Sequence, residues 1–276
     1  MIRTRRLYVG AGIVVFFALM AIVGPFFTSS AGTFTTQEWK HPSAAHWLGT
    51  TSLGQDVLTE VVNAARATLE IGAGAGLVAT VISIVIGIGG GYAGGFADEA
   101  LSLLSNVVLV IPALPLIIVI ASFVHASGVW TTVLVIAFVS WAASARVLRA
   151  QTLSVRNREY VLAARASGER GWRIMLFEIL PNELPIIVSQ FIFAMIFAIL
   201  TQTGLAFLGL ANANQLTWGT MLYYAQNDEA LSSGAWWWFV PPGLCIALFG
   251  MGLALINFSL DEILNPRLRV YKEAAA

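Results

Sequence analysis

The sequence contains few charges and a single cysteine. Only 11% of its 276 residues are Asp, Glu, Lys or Arg, whereas 58% are apolar, and the mean hydropathy is +0.78. Soluble domains carry about 25% charged residues and about 45–50% apolar residues, so this composition excludes a water-soluble globule and indicates an integral membrane protein. Because Cys245 has no second cysteine to pair with, a disulfide framework and a thiolate metal site are excluded as well.

The chain also lacks the short motifs of nucleotide-hydrolysing and metal-dependent enzymes. It has no Gly-x-x-x-x-Gly-Lys-Ser/Thr loop to hold phosphates, and no His-Glu-x-x-His or paired-cysteine motif to hold a metal. His41 and His46 have no carboxylate cluster beside them, so we interpret them as ordinary loop residues. We therefore predict that this chain has no catalytic residue, metal site, bound cofactor or nucleic-acid partner.

Long stretches without charge predict six transmembrane helices. A spanning helix needs about 20 mostly apolar residues, and a charge at its centre costs about 2.5–3.5 kcal/mol. Five charge-free gaps are long enough, and a short polar turn at His125, Ser127 and Gly128 divides the one between Glu99 and Arg146. The predicted spans are residues 9–27, 70–92, 100–123, 129–149, 184–208 and 236–260.

The net charge is zero, but the basic residues are unevenly distributed. Of the 15 Lys and Arg residues, three precede the first span, seven lie between Arg146 and Arg173, and three follow the last span. Only Lys40 and Arg66 fall in the remaining segments. Since cytoplasmic loops are enriched in Lys and Arg, we expect both termini and residues 150–181 to be cytoplasmic. The segments expected on the outside are residues 28–66 and 209–235.

A cleaved signal peptide is the alternative for the N-terminus. Ser29, Ser30 and Ala31 offer small residues for cleavage after the apolar run. That run, from Leu7 to Phe27, is longer than the usual signal core, which favours an uncleaved first span.

The centres of the predicted spans contain no ionisable residue. Carriers driven by a proton or ion gradient bind the coupling ion on such residues at membrane depth, so an ATP-independent secondary carrier is disfavoured and a partner must supply the energy. Neutral polar residues in the spans can hydrogen-bond between helices or line a solute path. The path candidates are Gln190, Thr201, Gln202 and Asn257.

Nine glycines fall within the 24 residues from Gly72 to Gly95. Two pairs, Gly72 with Gly76 and Gly87 with Gly91, have the four-residue spacing that lets helix backbones approach closely. We predict that these four glycines pack against a neighbouring helix, either in this chain or in a partner. In the third span, two prolines at 112 and 115 predict a kink.

Residues 150–181 form a polar segment far longer than a simple connection between two spans. Asn157 is a suitable N-cap for a helix over residues 158–167, and Gly168 can end that helix. A second helix is predicted from Trp172 to Leu180, ending at Pro181. On physical grounds alone, the segment either docks in a groove of another protein or places its arginines on anionic lipid headgroups.

The segment Leu162-Ala163-Ala164-Arg165-Ala166-Ser167-Gly168, followed by Leu180-Pro181, resembles the EAA motif of ABC importer permeases. In that family the motif forms a coupling helix that docks on an ATPase subunit. Leu162 stands where the motif has Glu, and Glu178 stands where many relatives have His. The coupling residues that the resemblance implies are Glu159, Leu162, Ala163, Ala164, Arg165, Gly168, Leu180 and Pro181.

Three further segments resemble the C-type permease subunit of dipeptide, oligopeptide and nickel importers. Residues 48–58 (LGTTSLGQDVL) are similar to its outer-loop signature, with Thr51 and Gln55 departing from the usual Asp and Arg. Physically, Gly49 and Gly54 form a turn and Asp56 caps a helix. The apolar face expected on that helix is Val57, Leu58, Val61, Val62 and Ala65. The other matches are residues 203–210 with Trp218-Gly219, and Asn265-Pro266-Arg267-Leu268-Arg269.

The resemblance implies an all-α membrane protein with six transmembrane helices and the type I ABC importer permease fold. Residues 1–69 would hold the N-terminal tail, first span and outer loop, and residues 70–276 the permease core with the coupling loop 150–181. The implied location is the inner (plasma) membrane of a prokaryote. The implied partners are membrane lipid, a homologous second permease, an extracytoplasmic substrate-binding protein and two ABC ATPases that use ATP and Mg²⁺.

Oligopeptides or dipeptides are the expected cargo, and oligosaccharides, nickel or another solute remain alternatives. The run Trp236-Trp237-Trp238 could stack on a sugar. We interpret it instead as an aromatic belt at the membrane interface.

Overall fold

The computed structural model describes residues 2–28, 33, 37–124, 128–212 and 215–264. Within these ranges the chain is helical apart from its connecting segments, which confirms the all-α prediction. The polar turn at His125 and Ser127, the signal cleavage site at 29–31 and the C-terminal match at 265–269 lie outside the described residues. The helices are α1 (Ile2–Phe27), α2 (Val57–Ala93), α3 (Gly95–Val110), α4 (Ala113–Val124), α5 (Val129–Val155), α6 (Glu159–Ala166), α7 (Gly171–Phe207), α8 (Trp218–Asn227) and α9 (Trp236–Leu264).

Five of these helices, α1, α2, α5, α7 and α9, are long and apolar enough to cross a membrane. The α3–α4 pair supplies a sixth span if its two halves are taken together, but they meet at an angle of 91°. The kink predicted from the prolines at 112 and 115 is therefore confirmed, but it is a break between two helices and not a bend within one. Ile111 has the extended backbone favoured before a proline (φ −77°, ψ 127°), so α3 stops before Pro112.

Helix α2 begins at Val57, thirteen residues before the predicted start of the second span. The helix predicted after Asp56 thus continues into the second span, and Arg66 and Glu70 within it form an exposed ion pair one helical turn apart, with Nε to Oε1 at 2.9 Å. The domain boundary at residues 69 and 70 consequently falls inside α2. The predicted N-cap is confirmed, since the Asp56 carboxylate accepts a hydrogen bond from the backbone N–H of Thr59 at 2.9 Å.

The separate helix predicted from Trp172 to Leu180 is wrong, because α7 continues through Pro181 without a break. The turns from Ile174 to Ile179 are π-helical. A π-helical segment accommodates a local disturbance of the α-helical hydrogen-bond ladder such as the missing proline N–H. The side chain of Asn182 also donates to the carbonyl of Glu178 at 2.6 Å.

Helix α2 lies at the centre of the fold and packs on α5 and α7, while α1 runs along α9. At the first turns of α2, the indole Nε1 of Trp218 in α8 donates to the carbonyl of Val61 at 2.9 Å. At its last turn Tyr92 contacts Arg165 of α6. We call these two ends of the bundle the α8 end and the α6 end. An α-helix of 37 residues is about 55 Å long, so the two ends lie on opposite sides of a bilayer core of about 30 Å.

Candidate functional site

The centre of the candidate site is the short helix α6, the counterpart of the EAA motif. Its N-cap is Arg158, not Asn157 as predicted, because the Asn157 side chain turns back towards the carbonyl of Leu153 in α5 (3.4 Å). The predicted stop at Gly168 is confirmed. Gly168 has φ +79° and its N–H binds the carbonyl of Arg165, while the N–H of Glu169 binds that of Ala164. This is the Schellman arrangement, which requires a left-handed residue after the last helical turn.

Helix α6 has one face on the protein and one face in the open. Val161 is fully buried, and Ala164, three residues later, is partly buried against the same cluster at the α6 end. Leu162 is 46% exposed, and three of the other predicted docking residues on this helix are exposed as well. Those exposed residues are Glu159, Leu162, Ala163 and Arg165.

Val161 is the anchoring residue that sequence reasoning missed. It packs with Leu148 and Val155 of α5 and with Ile174 and Ile179 of α7. The available signal was the i, i+3 spacing of Val161 and Ala164, which places both on one helix face. With so many small residues on the helix, that spacing alone could not distinguish the inner face from the outer one.

Polar contacts next to α6 join α2, α5 and α7. The Arg156 guanidinium donates to the carbonyl of Gly91 in α2 at 2.8 Å. The Thr152 hydroxyl of α5 lies 2.9 Å from Oε1 of Glu183 in α7, and Glu183 has no exposed surface. Glu183 directly precedes the predicted span 184–208, and its role between α5 and α7 was not predicted.

An open cavity of about 530 Å³ lies beside the C-terminal end of α6. Two predicted coupling residues belong to α7. Leu180 is partly buried against the cluster that holds Val161, whereas Pro181 is exposed. The cavity therefore continues the exposed face of α6 onto the first turns of α7. Its lining residues are Ser167, Gly168, Glu169, Arg170, Trp172, Arg173 and Phe177.

The paired glycines of α2 face other helices of this chain. A Cβ on Gly72 would lie 2.5 Å from the Ile199 side chain of α7, and one on Gly76 would meet the backbone of Met195 at 3.1 Å. On the opposite side, a Cβ on Gly87 would lie 2.5 Å from the carbonyl oxygen of Ala145 in α5. Gly91 meets Thr152 of the same helix at 2.9 Å. Side chains at these positions would push α5 and α7 away from α2.

The four path candidates lie on α7 and α9. Thr201, Gln202 and Asn257 are buried within the chain, at 5%, 2% and 2% exposure, and Gln190 is half-buried. The amide Nε2 of Gln202 donates to the hydroxyl of Thr217, the N-cap of α8, at 2.8 Å. This contact serves helix packing, and the lining of a path by these residues stays a prediction.

The α8 end brings together two segments that were predicted to face the same side. The Ser52 hydroxyl contacts the Asp228 carboxylate, and Trp237 Nε1 donates to the carbonyl of Thr50 at 3.2 Å. His46, interpreted above as an ordinary loop residue, pairs through Nδ1 with Asp56 Oδ1 at 3.0 Å. The outer-loop segment is thus fastened to α2, α8 and α9 by hydrogen bonds.

The aromatic belt predicted for the three consecutive tryptophans is wrong for two of them. Trp237 and Trp238 are only 2% and 3% exposed, whereas Trp236 is 55% exposed. Trp237 packs on His41 at 4.4 Å between ring centroids, and Trp238 packs edge-on to Trp39 at 5.8 Å. The loop before α2 folds over these rings, a tertiary contact that hydropathy does not reveal. The same burial leaves Trp237 and Trp238 no open face for a sugar.

The family model described as "Binding-protein-dependent transport system inner membrane component" matches residues 83–270. The chain is 32% identical over 265 residues to the dipeptide transport system permease protein DppC of Bacillus subtilis, covering 94% of this chain and 81% of the relative. Identity to the oligopeptide transport system permease protein OppC of the same organism is 32% over 265 residues, covering 95% and 85%. The glutathione transport system permease protein GsiD of Pectobacterium atrosepticum is 32% identical over 229 residues, covering 83% and 75%.

Proposed function

The chain belongs to the family of inner membrane components of binding-protein-dependent transport systems, and we propose that it is one of two permease subunits of an ATP-driven peptide importer. It is a multi-pass permease of the bacterial ABC importer class, as its motifs predicted. In our proposal it forms half of the translocation path and passes the movement of two partner ATPases to that path. ATP and Mg²⁺ are bound by those ATPases and not by this chain.

The exposed face of α6 is the observation that supports ATPase docking. Leu162 and Ala163 are open to a partner, while Val161 fixes the helix to the bundle. A docking helix needs both properties, because a loose helix would bend instead of transmitting force. The small Ala163 lets a groove wall approach the backbone closely, and Arg165 supplies a charge at the rim of the contact.

We propose that the α6 end is cytoplasmic. The seven arginines from Arg146 to Arg173 belong to this end, whereas Lys40 and Arg66 belong to the other. In a Cys245→Ala background, a membrane-impermeant maleimide should label Trp47→Cys, at a site 73% exposed, from outside intact spheroplasts. Ser167→Cys should react only after permeabilisation, and the reverse pattern would invert the orientation.

Peptide is the proposed cargo because the relatives are named for dipeptide, oligopeptide and glutathione transport. An extracytoplasmic binding protein delivers it to the α8 end, where the hydrogen-bonded outer loop offers a firm landing surface. A homologous second permease forms the other half of the path.

The transport cycle follows from one two-state element, the pair of partner ATPases, which is either open or closed. When the ATPases close on ATP, they pull α6, and the spans change from inward-facing to outward-facing. The cargo then enters from the binding protein, and hydrolysis followed by opening of the ATPases restores the inward-facing state.

The deciding experiment purifies the tagged chain with its partners in mild detergent and reconstitutes the complex in liposomes. With the binding protein present, labelled di-, tri- and tetraalanine should be taken up only with ATP. Recovery of the chain without any ATPase would contradict the coupling role. Uptake driven by a proton gradient without ATP would instead place the chain among secondary carriers, and uptake of oligosaccharide but no peptide would overturn the cargo.

A further inference from the structure

We propose that Tyr92 is the positioning residue through which α6 moves the central helix α2. The inference rests on the proposed coupling function and adds the point at which the movement enters the membrane. Tyr92 lies in the last turn of α2, and the segment that carries α6 contacts this turn three times.

The three contacts come from different parts of that segment. Before α6, Arg156 Nη1 donates to the carbonyl of Gly91 at 2.8 Å. Within α6, the Arg165 guanidinium carbon lies 5.3 Å from the centroid of the Tyr92 ring. After α6, Gly171 at the start of α7 leaves room for the ring, since a Cβ there would lie 3.2 Å from Tyr92 Cε1.

Two residues of α2 are contacted, Gly91 and Tyr92. Gly91 has no side chain, whereas the Tyr92 ring lies against both Arg165 in α6 and Gly171 in α7. Its ring is half-buried against the apolar cluster that also holds Val161. A cation above an aromatic face is attracted by the ring quadrupole, so this contact, together with those of Arg156 and Gly171, links the segment to the last turn of α2. A shift of α6 along the membrane normal is therefore transferred to Tyr92.

The backbone after Tyr92 allows this movement without bending α2. Gly94, which separates α2 from α3, and Gly95, the first residue of α3, both have positive φ, +69° and +55°. Glycine adopts this conformation without strain, so α2 ends here in a turn and does not continue as a rigid helix into α3. The firm contacts of α2 with α5 and α7 at its paired glycines then carry the displacement into the bundle.

The test compares Tyr92→Ala, Tyr92→Phe and Tyr92→Leu in the reconstituted complex, with labelled di-, tri- and tetraalanine as probes. The quantity measured is peptide taken up per ATP hydrolysed. Residues that couple sites modulate the coupling by about twofold to thirtyfold, and we expect a fall within this range for Tyr92→Ala. Phe keeps the ring and should restore the wild-type ratio. Tyr8→Ala, at a site 70% exposed on α1, is the matched control and should not change the ratio.

A wild-type ratio in Tyr92→Ala would overturn the inference, and so would equal loss in Tyr92→Phe. If Tyr92→Ala fails to assemble, Tyr92→Leu decides, because it keeps apolar bulk but has no ring face, and a wild-type ratio there also overturns it. Hydrogen exchange on the isolated full chain provides a readout that needs no cargo. Amides of Glu159–Ala166 should exchange faster in Tyr92→Ala while those of Trp218–Asn227 do not; unchanged exchange in α6 refutes the positioning role. Absence of ATP-driven uptake by the wild type contradicts the proposed function instead.

Discussion

Asp98 and Arg149, 51 residues apart in the sequence, form a two-pronged ion pair between α3 and α5. Arg149 Nε donates to Oδ1 at 2.5 Å and Nη2 donates to Oδ2 at 2.8 Å. Asp98 is 8% exposed, so most of its hydration is replaced by this partner. The pair fastens the bent α3–α4 unit to the bundle near the α6 end.

Asp98→Asn should destabilise the protein. The neutral asparagine side chain has one acceptor oxygen instead of two, and it leaves Arg149 without its counter-charge. We expect the free energy of unfolding to fall by about 1.5–3 kcal/mol, measured by denaturant unfolding in mild detergent. Glu99→Gln, at the exposed neighbouring position, is the control. An equal change in the free energy of unfolding of the two variants would mean that the ion pair does not stabilise the protein.

Gly87→Ala should separate α2 from α5. The added methyl group would lie 2.5 Å from the carbonyl oxygen of Ala145, and a backbone atom cannot turn aside. Overpacking of this kind costs about 1–3 kcal/mol. Gly89→Ala, two residues on, meets nothing within 4 Å and should leave the unfolding midpoint unchanged or slightly raised. The glycine-packing role fails if both variants behave alike.

Gly168→Val and Gly168→Asn test whether the end of α6 needs glycine for its backbone conformation or for lack of room for a side chain. No atom lies within 4 Å of a Cβ built there, but φ is +79°. A left-handed backbone costs an ordinary residue about 1–2 kcal/mol, whereas asparagine tolerates it. We therefore expect Val to lower ATP-driven uptake and ATPase recovery, with Asn close to wild type. Full uptake with Val would show that the Schellman end of α6 is dispensable.

Trp218→Phe should loosen the α8 end. Trp218 is fully buried, and its Nε1 donates to the carbonyl of Val61. Loss of this donor inside the core should lower the free energy of unfolding by about 1–3 kcal/mol. Trp236→Phe changes a side chain that is 55% exposed and serves as control. Thermal unfolding followed by near-UV circular dichroism compares them, and a Trp218 variant as stable as the control would contradict the role of the bond.

Features set by a few neighbouring residues could be predicted from the sequence. Asp56 caps α2 and Gly168 ends α6, because a carboxylate beside free N–H groups and a glycine after a short helix act locally. The apolar runs likewise identified the long helices.

Features that depend on distant residues could not be predicted. The charged side chains at 98, 149 and 183 lie at or just beyond the ends of the predicted spans, yet each is inside a helix and has a partner from another helix. The sequence also did not show which face of α6 is buried. Val161 faces inward because it packs in an apolar cluster formed with α5 and α7, and Ala163 does not. Trp237 and Trp238 were misjudged for the same reason, since the loop that covers them lies almost 200 residues earlier in the sequence.

The packing of α1 along α9 also determines the order in which the protein can be assembled. A Cβ on Gly10 would lie 2.8 Å from the carbonyl oxygen of Gly252, so α1 finds this partner only after α9 has been made. At about 5–20 residues per second, the ribosome needs roughly 10–50 s to make the chain between them. During that interval α1 can pack on α2, but its face towards α9 has no partner. A ribosome that stops before α9 therefore releases a protein whose N-terminal helix is already in the membrane with one side uncovered, a target for quality-control proteases.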